Sequence, residues 1–313
     1  MLLKTLLTTT AVALAAPALA ADFSEPTTFL ASPVSGYLEA YFGIGQSSGS
    51  SVSTGLVALD VVGGNDFRYT NTMFGGSGRL AYALAPNFSV QADGWFDSDL
   101  AQNYFGGDVL TYSSASTGLG LHGTWRGMNT AFGGLISIGQ NGAPARYANL
   151  AAEGAWYGAT SSFTVQGGYT VKFAGAPFSE SGYYGHAVAT FFQNPNLALS
   201  GDVGVTNQSA AENDGYASSS GNAVQWGARV DYKPEQVPFS FFVAYQGSST
   251  SASFNSDYGS NSSTSTGTSH AAFIGARYLF GSDTLQNLDR TVGFKDHNAL
   301  FGANALGSIA PYD

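Results

Sequence analysis

The sequence predicts an all-β fold: a transmembrane antiparallel up-and-down β-barrel of about 12 strands, within a range of about 10 to 14. Three observations carry that expectation. From residue 36 onward apolar and polar residues alternate with period two in segments of roughly ten residues. The connections between segments are alternately very short and longer and polar. Aromatic residues recur at or near the last apolar position before the short connections, where a barrel meets the membrane interface.

Composition narrows the classes further. The chain has 313 residues, of which 44% are hydrophobic, 14% aromatic and only 10% charged, against about 25% charged for soluble domains. Forty-one glycines with only 10 prolines fit neither collagen nor a Pro-rich disordered tract. After the first twenty residues no apolar run approaches the roughly 20 residues of a spanning helix, so a membrane would have to be crossed by strands. With no cysteine and four scattered histidines, no disulfide, thiolate nucleophile, metal centre or cofactor is expected. The net charge of -10, without a basic stripe, disfavours nucleic acid as a partner.

Residues 1–20 read as a signal peptide. Lys4 precedes an apolar stretch that ends in Ala18-Leu19-Ala20, the small-x-small pattern for cleavage before Ala21. Loss of Lys4 leaves 10 basic against 21 acidic residues, a net -11. No cysteine follows to carry a lipid anchor. Residues 21–35 are then a periplasmic N-terminal segment, 36–281 the barrel and 282–313 a periplasmic C-terminal tail.

The apolar-alternating segments start near residues 36, 72, 88, 113, 130, 146, 162, 183, 197, 223, 238 and 269. Short turns fall at Ala85-Pro86-Asn87, Arg126 to Asn129, Gly158 to Ser161, Asn194-Pro195-Asn196 and Pro234-Glu235-Gln236, all rich in turn formers. Longer connections are expected near 47–71, 98–112, 141–145, 174–182, 208–221 and 249–268; within the first, Leu56 to Val62 is apolar enough for an extra hairpin or an inward fold. In the second hairpin segment Leu80, Tyr82 and Leu84 oppose Arg79, Ala81 and Ala83, and in the third Val90 and Ala92 oppose Gln91 and Asp93. The segment starting at 183 has two possible registers, with either Val188 and Phe192 or Ala187 and Phe191 on the lipid side.

A soluble sandwich shows the same alternation, so other features must separate the two. Trp125, Trp156, Phe192 and Tyr232 lie at or near the last apolar position before a short turn, as in the periplasmic aromatic girdle of a barrel. A hydrocarbon slab also requires strands to close without an edge.

Gly275-Ala276-Arg277-Tyr278-Leu279-Phe280 is similar to the closing-strand signal of bacterial outer-membrane barrels, its key positions being Gly275, Tyr278 and Phe280. It departs from that pattern in the residues that follow Phe280 and in having Phe273 two positions before the glycine. Together with the export signal and the hairpins over residues 35–281, it makes the chain resemble the porin-like outer-membrane β-barrels of Gram-negative bacteria. The resemblance implies an outer-membrane location and insertion by the barrel assembly machinery. It also implies contact with outer-membrane lipids and lipopolysaccharide.

With apolar positions on the lipid, the candidate lumen-lining residues are Glu39, Arg79, Asp93, Asp97, His122, Arg126, Glu153, Lys172, Arg229, Asp231, Lys233 and Arg277. On the lipid side, a single Arg or Lys at the midplane would cost about 2–4 kcal/mol. Opposed charges lining a bore suit a passive channel for small hydrophilic solutes or ions. The same charges, paired with one another, suit a non-conducting structural or surface-interaction barrel. An outer-membrane lipid hydrolase is the third reading. It needs a nucleophile beside a base, and the chain has no Gly-x-Ser-x-Gly elbow and, of its histidines, only His122 in an unambiguous inward register, so no catalytic residue is assigned. In the tail, Leu285, Leu288 and Val292 have helical spacing; the expected state is disorder, with insertion into the barrel mouth as the alternative.

Overall fold

The computed structural model describes residues 33–54, 65–105, 108–141, 145–174, 178–212, 217–256, 261–292 and 294. The signal peptide, most of the N-terminal segment, Leu56 to Val62 and the end of the tail lie outside them. Twelve antiparallel strands form a closed barrel. They are β1 (Val34–Thr54), β2 (Asn65–Ala85), β3 (Phe88–Phe105), β4 (Asp108–Arg126), β5 (Thr130–Asn141) and β6 (Ala145–Tyr157). The second half comprises β7 (Ser161–Ala174), β8 (Phe178–Asn194), β9 (Leu197–Glu212), β10 (Ala217–Tyr232), β11 (Phe239–Ser256) and β12 (Asn261–Phe280), followed by helix α1 (Leu285–Thr291). Each strand pairs with its sequence neighbours, and β1 pairs with β12 from Gly36–Phe280 to Thr54–Ser262. No edge remains, which is what a strand protein needs to satisfy its backbone in hydrocarbon.

Burial is inside out. Leu38, Leu121, Ile136, Leu150, Tyr183 and Val243 are all more than 60% exposed, whereas Glu39, Arg79, Asp93, His122, Glu153 and Asp231 are at most 6% exposed. Two stacked sheets would hide the apolar faces from water, so this distribution selects the barrel over the sandwich.

The register of β8 is Phe191 outward and Val188 and Phe192 inward. Phe192 therefore does not belong to the aromatic girdle; it packs inside, against Ala198, Leu279 and α1. Trp125 and Tyr232 do face outward.

Many of the glycines have a structural reason. Trp95 lies over Gly118, Tyr147 over Gly139, Tyr184 over Gly168 and Phe273 over Gly43, each ring resting on the residue directly opposite in the next strand. A Cβ at any of these glycines would enter the ring's van der Waals surface. Each of these rings is buried inside the barrel, where Trp95 packs with Tyr147, and Phe273 with Met73 and Phe242. Gly275 of the closing-strand signal plays the same part under Phe242, while Tyr278 and Phe280 are on the outward face.

The strands that follow the longer connections begin earlier than expected, at Asn65, Asp108, Phe178, Ala217 and Asn261, so those connections shrink. Beyond Ile44 the outward residues of β1 are Gln46, Ser48 and Ser50, and Ser48 and Ser50 hydroxyls meet those of Thr268 and Thr266 on β12. This part of the sheet continues past the apolar band with polar residues on both faces.

Candidate functional site

Strand spacing of about 4.8 Å and a tilt of about 40° give twelve strands a backbone radius of about 12 Å. The inward side of this wall carries a belt of charge at the end nearest the short turns. On one side Arg79 donates through Nε and Nη2 to Asp93 Oδ1 and Oδ2, both at 2.9 Å. Asp93 Oδ2 is also 2.9 Å from His122 Nε2, and His122 Nδ1 is 2.9 Å from Glu153 Oε2. Gln166 Nε2 donates to Glu153 Oε1 at 2.7 Å. The His122–Glu153 contact passes over β5, whose inward residue opposite Glu153 is Gly133.

On the other side Arg229 of β10 reaches past β11 and β12 to Glu39 of β1, with Nη2 at 2.7 Å from Oε2, and also donates to Asp231. Arg277 donates to the same Glu39 oxygen at 2.6 Å. Tyr37 joins the halves: Arg277 lies 4.4 Å and Arg79 5.6 Å from its ring centroid. Arg229 stacks on Phe242 at 3.5 Å. Acid and base alternate around most of the wall, each neutralising the next.

The remaining candidates are inward but outside this belt. Asp97 is half-buried on β3 beside Gly75, Lys172 is half-buried on the face of β7 that carries Gln166 and Thr170, and Lys233 is buried at the end of β10. Arg126 serves the tail. It donates through Nη2 to Thr291 O at 2.9 Å and through Nη1 to Arg290 O.

The beginning of the tail is thus ordered, and for residues 282–292 and 294 the plug reading replaces disorder. Gly281 has φ 66, and a Cβ there would fall on the Val34 carbonyl, so only glycine reverses the chain at this point. Thr284 then caps α1, its Oγ1 accepting from Asn287 N at 3.1 Å. Leu285, Leu288 and Val292 pack on Phe192, Ala198 and Leu279, and Phe294, 1% exposed, packs on Ala131, Ala155 and Tyr157. A Cβ on Gly133 would lie 2.8 Å from the Phe294 ring. Gln91 Nε2 donates both to Phe294 O and to Asp93 Oδ1, each at 2.9 Å, tying the plug to the belt.

Gln91, Gln166 and Tyr37 were not among the candidates. The two glutamines sit on the polar side of their alternating segments, but nothing in a sequence marks them as bridges between charged neighbours.

No protein-family model and no curated protein matches the sequence. Among solved structures, the chain is similar to an outer-membrane channel from Pseudomonas putida F1, with 11% identity and a TM-score of 0.54, covering 82% of this chain and all of that one. It also aligns with the β domain of the Bordetella autotransporter BrkA, at 12% identity and a TM-score of 0.41, over 76% of this chain and 99% of that one. The outer-membrane protease OmpT of Escherichia coli aligns at 11% identity and a TM-score of 0.34, over 78% and 97%. The first of these likenesses establishes the outer-membrane-barrel fold.

Proposed function

We propose that this barrel is an outer-membrane channel for passive diffusion of small hydrophilic solutes or ions, embedded in outer-membrane lipid and lipopolysaccharide. The observation that carries the reading is the belt of alternating acids and bases on the inward wall of a closed twelve-strand barrel. Such a belt presents both signs to a passing solute and forms a constriction without a large net field. The hydrolase reading loses ground, because both nitrogens of His122 are engaged by carboxylates and neither is left to activate a hydroxyl.

Pairing of the belt charges favours the rival, a non-conducting structural barrel. Planar-bilayer conductance of refolded protein, with and without the segment from Leu285 onward, decides between them, folding being checked by heat-modifiable mobility. Ohmic steps from either form support a channel; folded barrels silent in both forms leave the structural reading.

A further inference from the structure

The geometry points to helix α1 with Val292 and Phe294 as a built-in stopper of the periplasmic mouth, whose release opens the bore; this rests on the channel reading above. The segment is made as a separable part. It is joined to the wall by Gly281, Ser282 and Asp283, downstream of the β1–β12 seam that closes the barrel without it. A seven-residue helix is marginal alone in water, so its order comes from docking.

The docking contacts have two kinds. Leu285, Leu288, Val292 and Phe294 fill the space between opposite walls, packing on β8, β9 and β12 on one side and β5 and β6 on the other. Polar contacts join side chains of one partner to backbone carbonyls of the other. Arg126 and Gln91 of the wall hold plug carbonyls, and Arg290 and Gln286 of the plug hold Gly158 and Ala159 at the β6–β7 turn. An α-helix with side chains is about 10–12 Å across, which fits the bore left inside wall side chains of a barrel with a radius of about 12 Å. The size match and the contacts on opposite walls make this a stopper, not a surface ornament.

The linkage through Gln91 gives the stopper a second consequence. Phe294 O and Asp93 Oδ1 share one Gln91 amide, so undocking frees that amide beside the belt at the same moment that it clears the mouth.

The test compares three refolded proteins in planar bilayers: the full chain, a chain ending at Asp283, and full-length Leu288→Asp, which alters only the plug's apolar anchor. The full chain should be mostly closed. Truncation should give long-lived open steps, and Leu288→Asp should raise the open fraction roughly ten- to a hundredfold, the effect of removing one fully buried leucine from a docking equilibrium. Full-length protein conducting as well as the truncated form overturns the stopper and leaves the channel standing. Silence in all three, with heat-modifiable folding intact, overturns the channel and the stopper together. Should the truncated chain fail to fold, Leu288→Asp alone decides: conductance no higher than the full chain's rejects the stopper.

Discussion

Arg79 and Asp93 face each other directly across β2 and β3, and Arg79 donates two parallel hydrogen bonds to Asp93, with side chains at most 5% exposed. A bidentate guanidinium–carboxylate pair gives geometry as well as charge, and lysine cannot reproduce the fork. Removing the cation leaves Asp93 with only His122 and Gln91 against its buried charge. Arg79→Ala should therefore destabilise the barrel by about 3–5 kcal/mol and Arg79→Lys by less, read as the shift in urea-unfolding free energy in lipid vesicles. A loss under about 1 kcal/mol for Arg79→Ala would mean that water already screens the pair as it does a surface ion pair.

At the level of the strand, ring-on-glycine contacts give a sharper contrast. Gly118 lies beneath Trp95, whereas the nearest atom to a Cβ on Gly123, five residues along β4, is Phe88 Cζ at 3.9 Å. Gly118→Ala should cost about 1–3 kcal/mol by forcing the indole off the wall, and Gly123→Ala should be near neutral, both measured as urea-unfolding midpoints. Equal effects would show that glycine's backbone freedom, not the seated ring, sets the cost. Strand starts after the short turns were legible in the sequence: Phe88, Thr130, Leu197 and Phe239 lie within a residue of expectation. There one face meets lipid and the other the bore, so period two is enforced. The opposite ends of β1, β11 and β12 were not legible, because both faces leave the apolar band and Ser, Thr and Gly carry no alternation. Phe192 failed for a related reason: Phe191 and Phe192 are equally apolar, and only the docked helix explains why one faces inward. The charged belt was legible as a set of inward positions. Its pairing was not, since Arg229 meets Glu39 across two intervening strands.

For the molecule as a whole, apolar residues facing hydrocarbon and polar ones facing water make stability depend on depth. Along the outward face of β11, Phe239, Phe241, Val243 and Tyr245 give way to Ser249 and Ser251. A tilted strand climbs about 2.5 Å of membrane normal per residue, so an apolar band of about 25 Å accommodates about ten residues. Val243, 61% exposed, then lies near its middle, and Ser251 lies beyond its outer edge. Val243→Arg should cost about 2–4 kcal/mol in vesicles, and Ser251→Arg only about 0–1. The contrast comes from the solvent and not from packing, because both side chains point away from the bore. Repeating the pair in detergent micelles, which deform around a charge, should narrow the gap. If Val243→Arg were as harmless as Ser251→Arg in a bilayer, the apolar surface would not be facing acyl chains, and the inside-out assignment of every inward residue would fail with it.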